Sequence, residues 1–208
     1  MENMKEKILE AALHLFARDG YEAVSTSAIA GELGMAKSAL YKHFPDKRSI
    51  FDCLVDQMLE RHRAVGETSG LATDASDAAA AQAYAATTSA QMADLGEALF
   101  RYWVQDASAV AFRRMLTIER FRDERISRIY DELFVGGKLC YHRALFEKMQ
   151  AIGAFASGDA EQMALDFWAP VHLLMQAVDG GMDVQEAVAA VRSHVLAFAV
   201  RYVRSGDE

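Results

Sequence analysis

An all-α fold is predicted by two observations. Apolar residues recur at three-and-four spacing through most of the 208 residues, and proline occurs only at Pro45 and Pro170. No stretch shows the apolar and polar alternation of a half-buried strand. With 52% apolar and 25% charged residues the chain can bury a substantial core, in one domain or two small ones.

The elements follow in order. Ile8, Leu9, Ala12, Leu15 and Phe16 share one face of a first helix over about 5–18, and Asp19-Gly20 ends it, glycine suiting a left-handed cap. Ser25 is the N-cap of a second helix that turns Ile29, Ala30 and Leu33 inward, and Gly34 allows a tight turn. A third helix over about 37–43 buries Leu40, and Phe44 beyond it, before Pro45 stops it. Asp46 caps a fourth helix reaching about residue 63, whose stripe of Ile50, Phe51, Leu54, Val55, Met58 and Leu59 is wide enough to touch two bodies.

Residues 66–76 contain Gly, Ser and Thr and form the best boundary; the Ala-rich segment 77–92 that follows favours helix. Further helices are expected over about 94–106, 108–121, 124–151, 159–178 and 183–204. The last two open with the capping pairs Asp159/Gln162 and Asp183/Glu186, and Gly180-Gly181 separates them. The division is therefore an N-terminal domain over 1–48, a connecting helix over 49–64 and a larger helical domain over 65–208, with no internal repeat.

A net charge of -8 excludes a protein coated all over for nucleic acid, so local charge decides. Residues 35–48 hold Lys37, Lys42, Lys47 and Arg48 against Asp46 alone. No run approaches the ~20 apolar residues of a membrane span, and the first residues lack the apolar core of a signal peptide, so no membrane partner and a cytoplasmic location are expected. Cys53 and Cys140 stand in different predicted helices and read as reduced core thiols. His14, His43, His62, His142, His172 and His194 show no metal-ligand spacing, and there is no glycine-rich phosphate loop. No metal, cofactor or catalytic residue is expected, and residues 119–125, alternating in charge, read as a solvated helix junction held by local ion pairs.

Residues 25–44 make a helix-turn-helix. Helix pairs with a glycine turn are as often packing motifs as DNA readers. Here the polar face of the second helix is basic and hydroxylic, an apolar bundle adjoins it, and its charge opposes that of the whole chain. Lys37, Ser38 and Ala39 are placed for base edges in a major groove, and Lys42 and His43 for phosphate or the groove wall. The Tyr41 hydroxyl can donate to a phosphate, while Ser25, Thr26 and Ser27 at one helix start and Lys47 at another favour phosphate through free amides and charge.

With Ile8, Ala11, Ala12, Leu15, Phe16, Gly20, Tyr21, Ser25, Ile29, Ala30, Gly34, Leu40, Tyr41, His43, Phe44, Lys47 and Phe51, residues 5–60 resemble the N-terminal domain of the TetR/AcrR family of bacterial transcriptional regulators. The resemblance implies an all-helical homodimer whose larger C-terminal domain binds a small molecule. Members commonly have serine or threonine where this chain has Ala36, and loss of a hydroxyl cap costs ~1 kcal/mol, which leaves the third helix to be settled partly by DNA itself.

For the C-terminal part, an apolar or aromatic effector is expected among Phe100, Trp103, Phe112, Met115, Tyr130, Phe134, Tyr141, Trp168 and Met175, oriented by Glu119, His142 or His172; each aromatic or methionine taken alone reads more readily as core. The last two helices, through Met163, Phe167, Val171, Leu174, Val188, Val191, Val195, Phe198 and Tyr202, are expected to form an isologous four-helix dimer interface. Together these readings describe a homodimeric repressor on a palindromic double-stranded DNA operator, released by a small-molecule effector through the fourth helix as lever. A transcriptional activator, and a helical small-molecule-binding protein or enzyme without DNA function, are the alternatives.

Overall fold

The computed structural model describes residues 4–68 and 78–203. They form helices α1 (Met4–Asp19), α2 (Thr26–Glu32), α3 (Lys37–Leu40), α4 (Lys47–Thr68), α5 (Ala78–Ala85), α6 (Ser89–Gln105), α7 (Ala107–Glu119), α8 (Glu124–Phe134), α9 (Gly136–Ala151), α10 (Ala160–Asp179) and α11 (Val184–Tyr202). The all-α expectation holds: the described residues contain no strand, only an isolated bridge between Phe155 and Val203. None of the described helices is long and apolar enough to cross a membrane.

Most helix starts are those the sequence announces. Ser25, Asp159 and Asp183 cap α2, α10 and α11 by accepting backbone N–H groups, and Asp46 accepts from the Ser49 N–H at 2.7 Å at the start of α4. Two boundaries differ. In the Ala-rich segment the break falls before Thr88, whose hydroxyl accepts from Gln91 N–H while the Gln91 side chain accepts from Thr88 N–H, a reciprocal cap at the start of α6. The single helix expected over 124–151 is broken between α8 and α9. There Gly136 and Gly137 pass so close to the previous turn that a Cβ on Gly137 would stand 2.2 Å from the Glu132 carbonyl oxygen. The loop-like boundary at 66–76 lies largely outside the described residues, since 69–77 are not described.

The described residues divide into two compact units, with residues 4–65 and 106–130 in unit one and residues 66–68, 78–105 and 131–203 in unit two. This departs from the linear division into 1–48, 49–64 and 65–208: residues 106–130, placed by sequence in the C-terminal domain, belong with the N-terminal helices. In unit one α7 packs along α1. Ile8, Phe16, Ile29, Leu40, Ile50, Phe51, Leu54 and Val55 are buried there, with Phe112 and Met115. The Tyr21 N–H donates to Glu119 Oε1 at 2.8 Å, and Glu119 is 3% exposed. Gly20, at φ +79°, permits this approach, because a Cβ there would stand 3.2 Å from the same oxygen. The junction 119–125 is therefore held by long-range partners as well as by local ones. Arg48 pairs with Asp123 at 2.9 Å, and Arg125 with Asp52 at 2.8 Å and Asp56 at 2.6 Å.

In unit two α11 packs on α6 and α10, and α10 on α9. Phe146, Met149, Phe155, Met163 and Phe198 are buried in its core, with Phe146 and Phe167 lying 5.3 and 4.9 Å from Phe198. His142 lies 4.8 Å from Phe167 and stacks on Trp168 at 5.6 Å, and its Nδ1 donates to the Lys138 carbonyl at 2.8 Å. Burial holds its imidazole down to about 4. Cys53 and Cys140 are both exposed free thiols, which corrects their assignment to the core.

Two outcomes are expected. Glu119→Ala leaves the half-buried Tyr21 N–H without its acceptor and should lower the urea-unfolding free energy by about 1–3 kcal/mol, while Glu119→Gln, which keeps an acceptor, should lose less. Because the folded His142 resists protonation down to about 4 while the unfolded ring takes a proton near 6.5, stability should fall as pH drops from 6.5 towards 4. His142→Phe should remove that part of the pH dependence, as read by thermal melts across this range.

Candidate nucleic-acid interface

The third helix is shorter than the expected 37–43. Regular α-helix covers only Lys37–Leu40, followed by a turn in which the N–H groups of Lys42 and His43 reach back three residues to Ala39 and Leu40. Ala36 stands at the N-cap in extended conformation with no side-chain hydrogen bond, and Pro45 follows directly, so neither end favours continuation. Gly34 takes φ +63° and lets the chain turn between α2 and α3, as the sequence requires.

The polar residues assigned to DNA are mostly outward. Ser25, Ser27, Lys37, Ser38, Tyr41 and Lys42 are exposed, while Ala39, His43 and Lys47 are half-buried and Thr26 is buried. Ser25 Oγ is engaged in capping, accepting from Ala28 N–H at 3.0 Å. Thr26 Oγ1 and the Tyr41 hydroxyl lie 3.3 Å apart, fixing the phenol on the N-terminus of α2; this hydrogen bond holds the Tyr41 hydroxyl below the usual tyrosine range. The Lys37 ammonium lies 5.7 Å from the Tyr41 ring. One open cleft, of about 350 Å³, is lined by Glu22, Ala23, Val24, Ser25, Thr26, Tyr41, Asp46 and Lys47. It joins the start of α2, the end of the α3 turn and the start of α4, where free amides, a phenol and an ammonium suit a phosphate.

Lys47 has a second duty that its position in the sequence does not reveal. Its ammonium donates to the Tyr21 carbonyl at 2.7 Å and lies 3.4 Å from that of Glu22, and it sits 4.1 Å from the Tyr21 ring. Lys5, not among the expected contacts, places its ammonium 5.8 Å from the Phe44 ring, beside the end of the α3 turn. The basic first turn around Lys5 and Lys7 was the available signal.

The expected effector residues do not form one cluster. Phe112, Met115, Glu119 and Tyr130 belong to unit one, and the others to unit two. Glu119, assigned to orient a ligand, instead accepts the Tyr21 N–H. Tyr130 lies 4.2 Å below the Arg120 guanidinium. In unit two Phe100 and Met175 are buried, Trp103 packs on Phe134 at 4.7 Å, and Trp168 Nε1 donates to the Phe134 carbonyl at 2.8 Å. Tyr141 stands 5.3 Å from His142 with its hydroxyl 3.3 Å from that of Tyr84, and His172 is half-buried on α10. No group of three His, Cys, Asp or Glu that could hold a metal occurs among the described residues.

The residues of the expected dimer face differ in burial within the single chain. Met163, Val171, Val188, Val191, Val195 and Phe198 are buried within a single chain and have little apolar area left for a partner, while Phe167, Leu174 and Tyr202 are half-buried. The outward apolar residues of α10 and α11 are Leu165, Leu173 and Val200, the last two 67% and 87% exposed.

Residues 8–54 match the family described as bacterial regulatory proteins, tetR family. The match covers the N-terminal helices of unit one and stops within α4. Over 55 residues it is 40% identical to the nucleoid occlusion factor SlmA of Escherichia coli O1:K1 and 38% to that of Photorhabdus laumondii. These alignments cover 26% of this chain and only 28% of either relative. Across nearly the whole length the fold is that of solved TetR-type structures. A transcriptional regulator from Saccharomonospora viridis in complex with choline superposes with a TM-score of 0.64 at 21% identity, covering 97% of this chain and 98% of that one. SmeT, the repressor of the Stenotrophomonas maltophilia multidrug efflux pump SmeDEF, superposes with a TM-score of 0.64 at 17% identity, covering 99% and 93%.

Lys47→Ala should weaken binding to every DNA sequence and reduce the slope of log affinity against log salt by about one, in gel shifts across a salt series. It should also lower stability, because the Tyr21 carbonyl loses its donor. Lys47→Met, which keeps the aliphatic stem over the Tyr21 ring, separates packing from charge.

Proposed function

We propose that the chain is a sequence-specific DNA-binding transcriptional regulator, acting as a homodimeric repressor that a small molecule releases from a palindromic operator. The observation that carries this reading is the outward face of Lys37, Ser38 and Lys42, beside the open cleft that Tyr41, Thr26 and Lys47 line. Base edges and backbone can be engaged from one side of unit one. The family match over residues 8–54 and the identity to SlmA fall on this same segment. SmeT, whose fold this chain shares, is a repressor and has been solved with triclosan, which supports control by a small apolar effector.

A dimer is the natural form of such a reader, since two related heads match half-sites about 34 Å apart or a multiple of it. Its interface is assigned to Leu165, Leu173 and Val200, which a monomer would leave in water. An effector can displace DNA only by binding one arrangement of the dimer better than the other. The covalent route for such coupling is α4, which starts at Lys47 and runs past Val65 from unit one into unit two; α8 crosses the same boundary after Tyr130.

Capture of bound DNA across the genome, followed by transcription from the captured promoter with and without the protein, tests the regulator. Higher transcription without the protein is expected; lower transcription would make it an activator, and no captured site would remove the reading. The doubly substituted Leu173→Glu, Val200→Glu chain should sediment as a folded monomer and lose affinity for the full palindrome while keeping that for a half-site.

A further inference from the structure

Lys47 owes its place in the cleft to a backbone it does not belong to. Its ammonium donates to the Tyr21 carbonyl at 2.7 Å and lies 4.1 Å from the Tyr21 ring, so the position of Tyr21 decides where that charge stands. An ammonium has three donors, and those not spent on backbone carbonyls can meet a phosphate. Tyr21 is located in turn by Glu119, whose Oε1 accepts its N–H at 2.8 Å. Glu119 is only 3% exposed, and its own place is fixed by the packing of α7 along α1.

The surrounding chain is built to allow this contact. Gly20 turns at φ +79°, and a side chain there would bring its Cβ to 3.2 Å from the same Oε1. Just beyond Glu119, Asp123 pairs with Arg48 at 2.9 Å and Arg125 with Asp52 at 2.8 Å, which ties the α7–α8 turn to the first turns of α4, where Lys47 stands. Only Gly20 to Val24 lie between α1 and the Ser25 cap of α2, so a displaced Tyr21 carries the start of α2 with it. Ser25 and Thr26 there line the same cleft as Lys47.

We propose that Glu119 is a positioning residue for DNA binding: through the Tyr21 backbone it holds Lys47 and the start of α2 at the spacing a phosphate requires, without itself touching DNA. Phosphate contacts set the register of a reading head, and contacts held in place before binding cost less to form. The proposal rests on the reading of the chain as a DNA-binding regulator. It goes further in placing a determinant of affinity outside the helix-turn-helix and outside the family-matched residues 8–54.

The test is a gel shift across a salt series, on a duplex captured from the genome and on its shuffled sequence, with the full chain at a temperature where melts show every variant folded. Glu119→Ala should lose about tenfold in affinity for both duplexes and flatten the slope of log affinity against log salt by about one, as Lys47→Ala does. Glu119→Gln, which keeps an acceptor oxygen for the Tyr21 N–H, should stay within about threefold of the parent. Adding Glu119→Ala to Lys47→Ala should cost less than about threefold more, because both substitutions act on one contact. Val55→Ala, which thins the buried core along α4, reports the effect of destabilisation alone and should leave the slope unchanged. An unchanged slope in Glu119→Ala, a flattened slope in Val55→Ala, no recovery in Glu119→Gln, or losses that multiply in the double variant overturns the positioning role. A parent chain that binds neither duplex overturns the DNA-binding reading itself, and the positioning role with it.

Discussion

The backbone of Tyr21 is held at both of its polar atoms, and the reading face of unit one depends on that grip. Glu119, 98 residues away in sequence, accepts its N–H, and Lys47 donates to its carbonyl. Its ring packs 5.5 Å from Phe16 and 4.8 Å from Phe51. Tyr21 opens the short loop that delivers Ser25 to the start of α2. The position of the cleft formed by Ser25, Thr26, Tyr41 and Lys47 is consequently set as much by α7 as by the three helices that touch it. This explains why residues 106–130 fold with the N-terminal helices.

Around this point Arg48, Asp52, Asp56, Asp123 and Arg125 form a connected set of ion pairs joining α4 to the start of α8. The hydrogen bonds it donates to Asp52 and then Asp123 hold the Arg48 guanidinium firmly charged. All these groups remain partly in water, so each pair contributes no more than about 1 kcal/mol. Their effect is positional. Two arginines shared among three carboxylates fix the register of α4 against the α7–α8 turn while leaving Lys47, one residue before Arg48, turned towards the cleft.

The legible part of the fold was the local part. Helix caps such as Ser25, Asp46 and Asp183 and the left-handed glycines Gly20 and Gly34 act within three or four residues, and they appear where the residue types demand them. What the sequence could not show was partnership across distance. Glu119 looked like a polar group for a ligand because its partner is a backbone amide at Tyr21, which leaves no mark in residue identity. Burial within the chain is hidden for the same reason: Val191, Phe198 and Leu165 are all apolar, and only packing reveals that the first two are covered within one chain while the third is exposed. In the candidate DNA interface the exposed Lys37, Ser38, Tyr41 and Lys42 were readable from the motif, whereas the structural hydrogen bond of Lys47 was not.

The uncapped start at Ala36 bears on how the protein would search a chromosome. A four-residue helix with no side-chain cap holds little order of its own beyond the anchors Leu40 and Phe44. Under the proposed function, phosphate contacts alone would retain the protein on arbitrary DNA without demanding a fixed geometry of Lys37 and Ser38. At a matching site those side chains and their backbone would become ordered together, and the ordering entropy would be spent only there. Site recognition then buries additional surface and carries a more negative heat capacity change than non-specific binding, so the temperature dependence of affinity itself distinguishes a correct sequence from a random one.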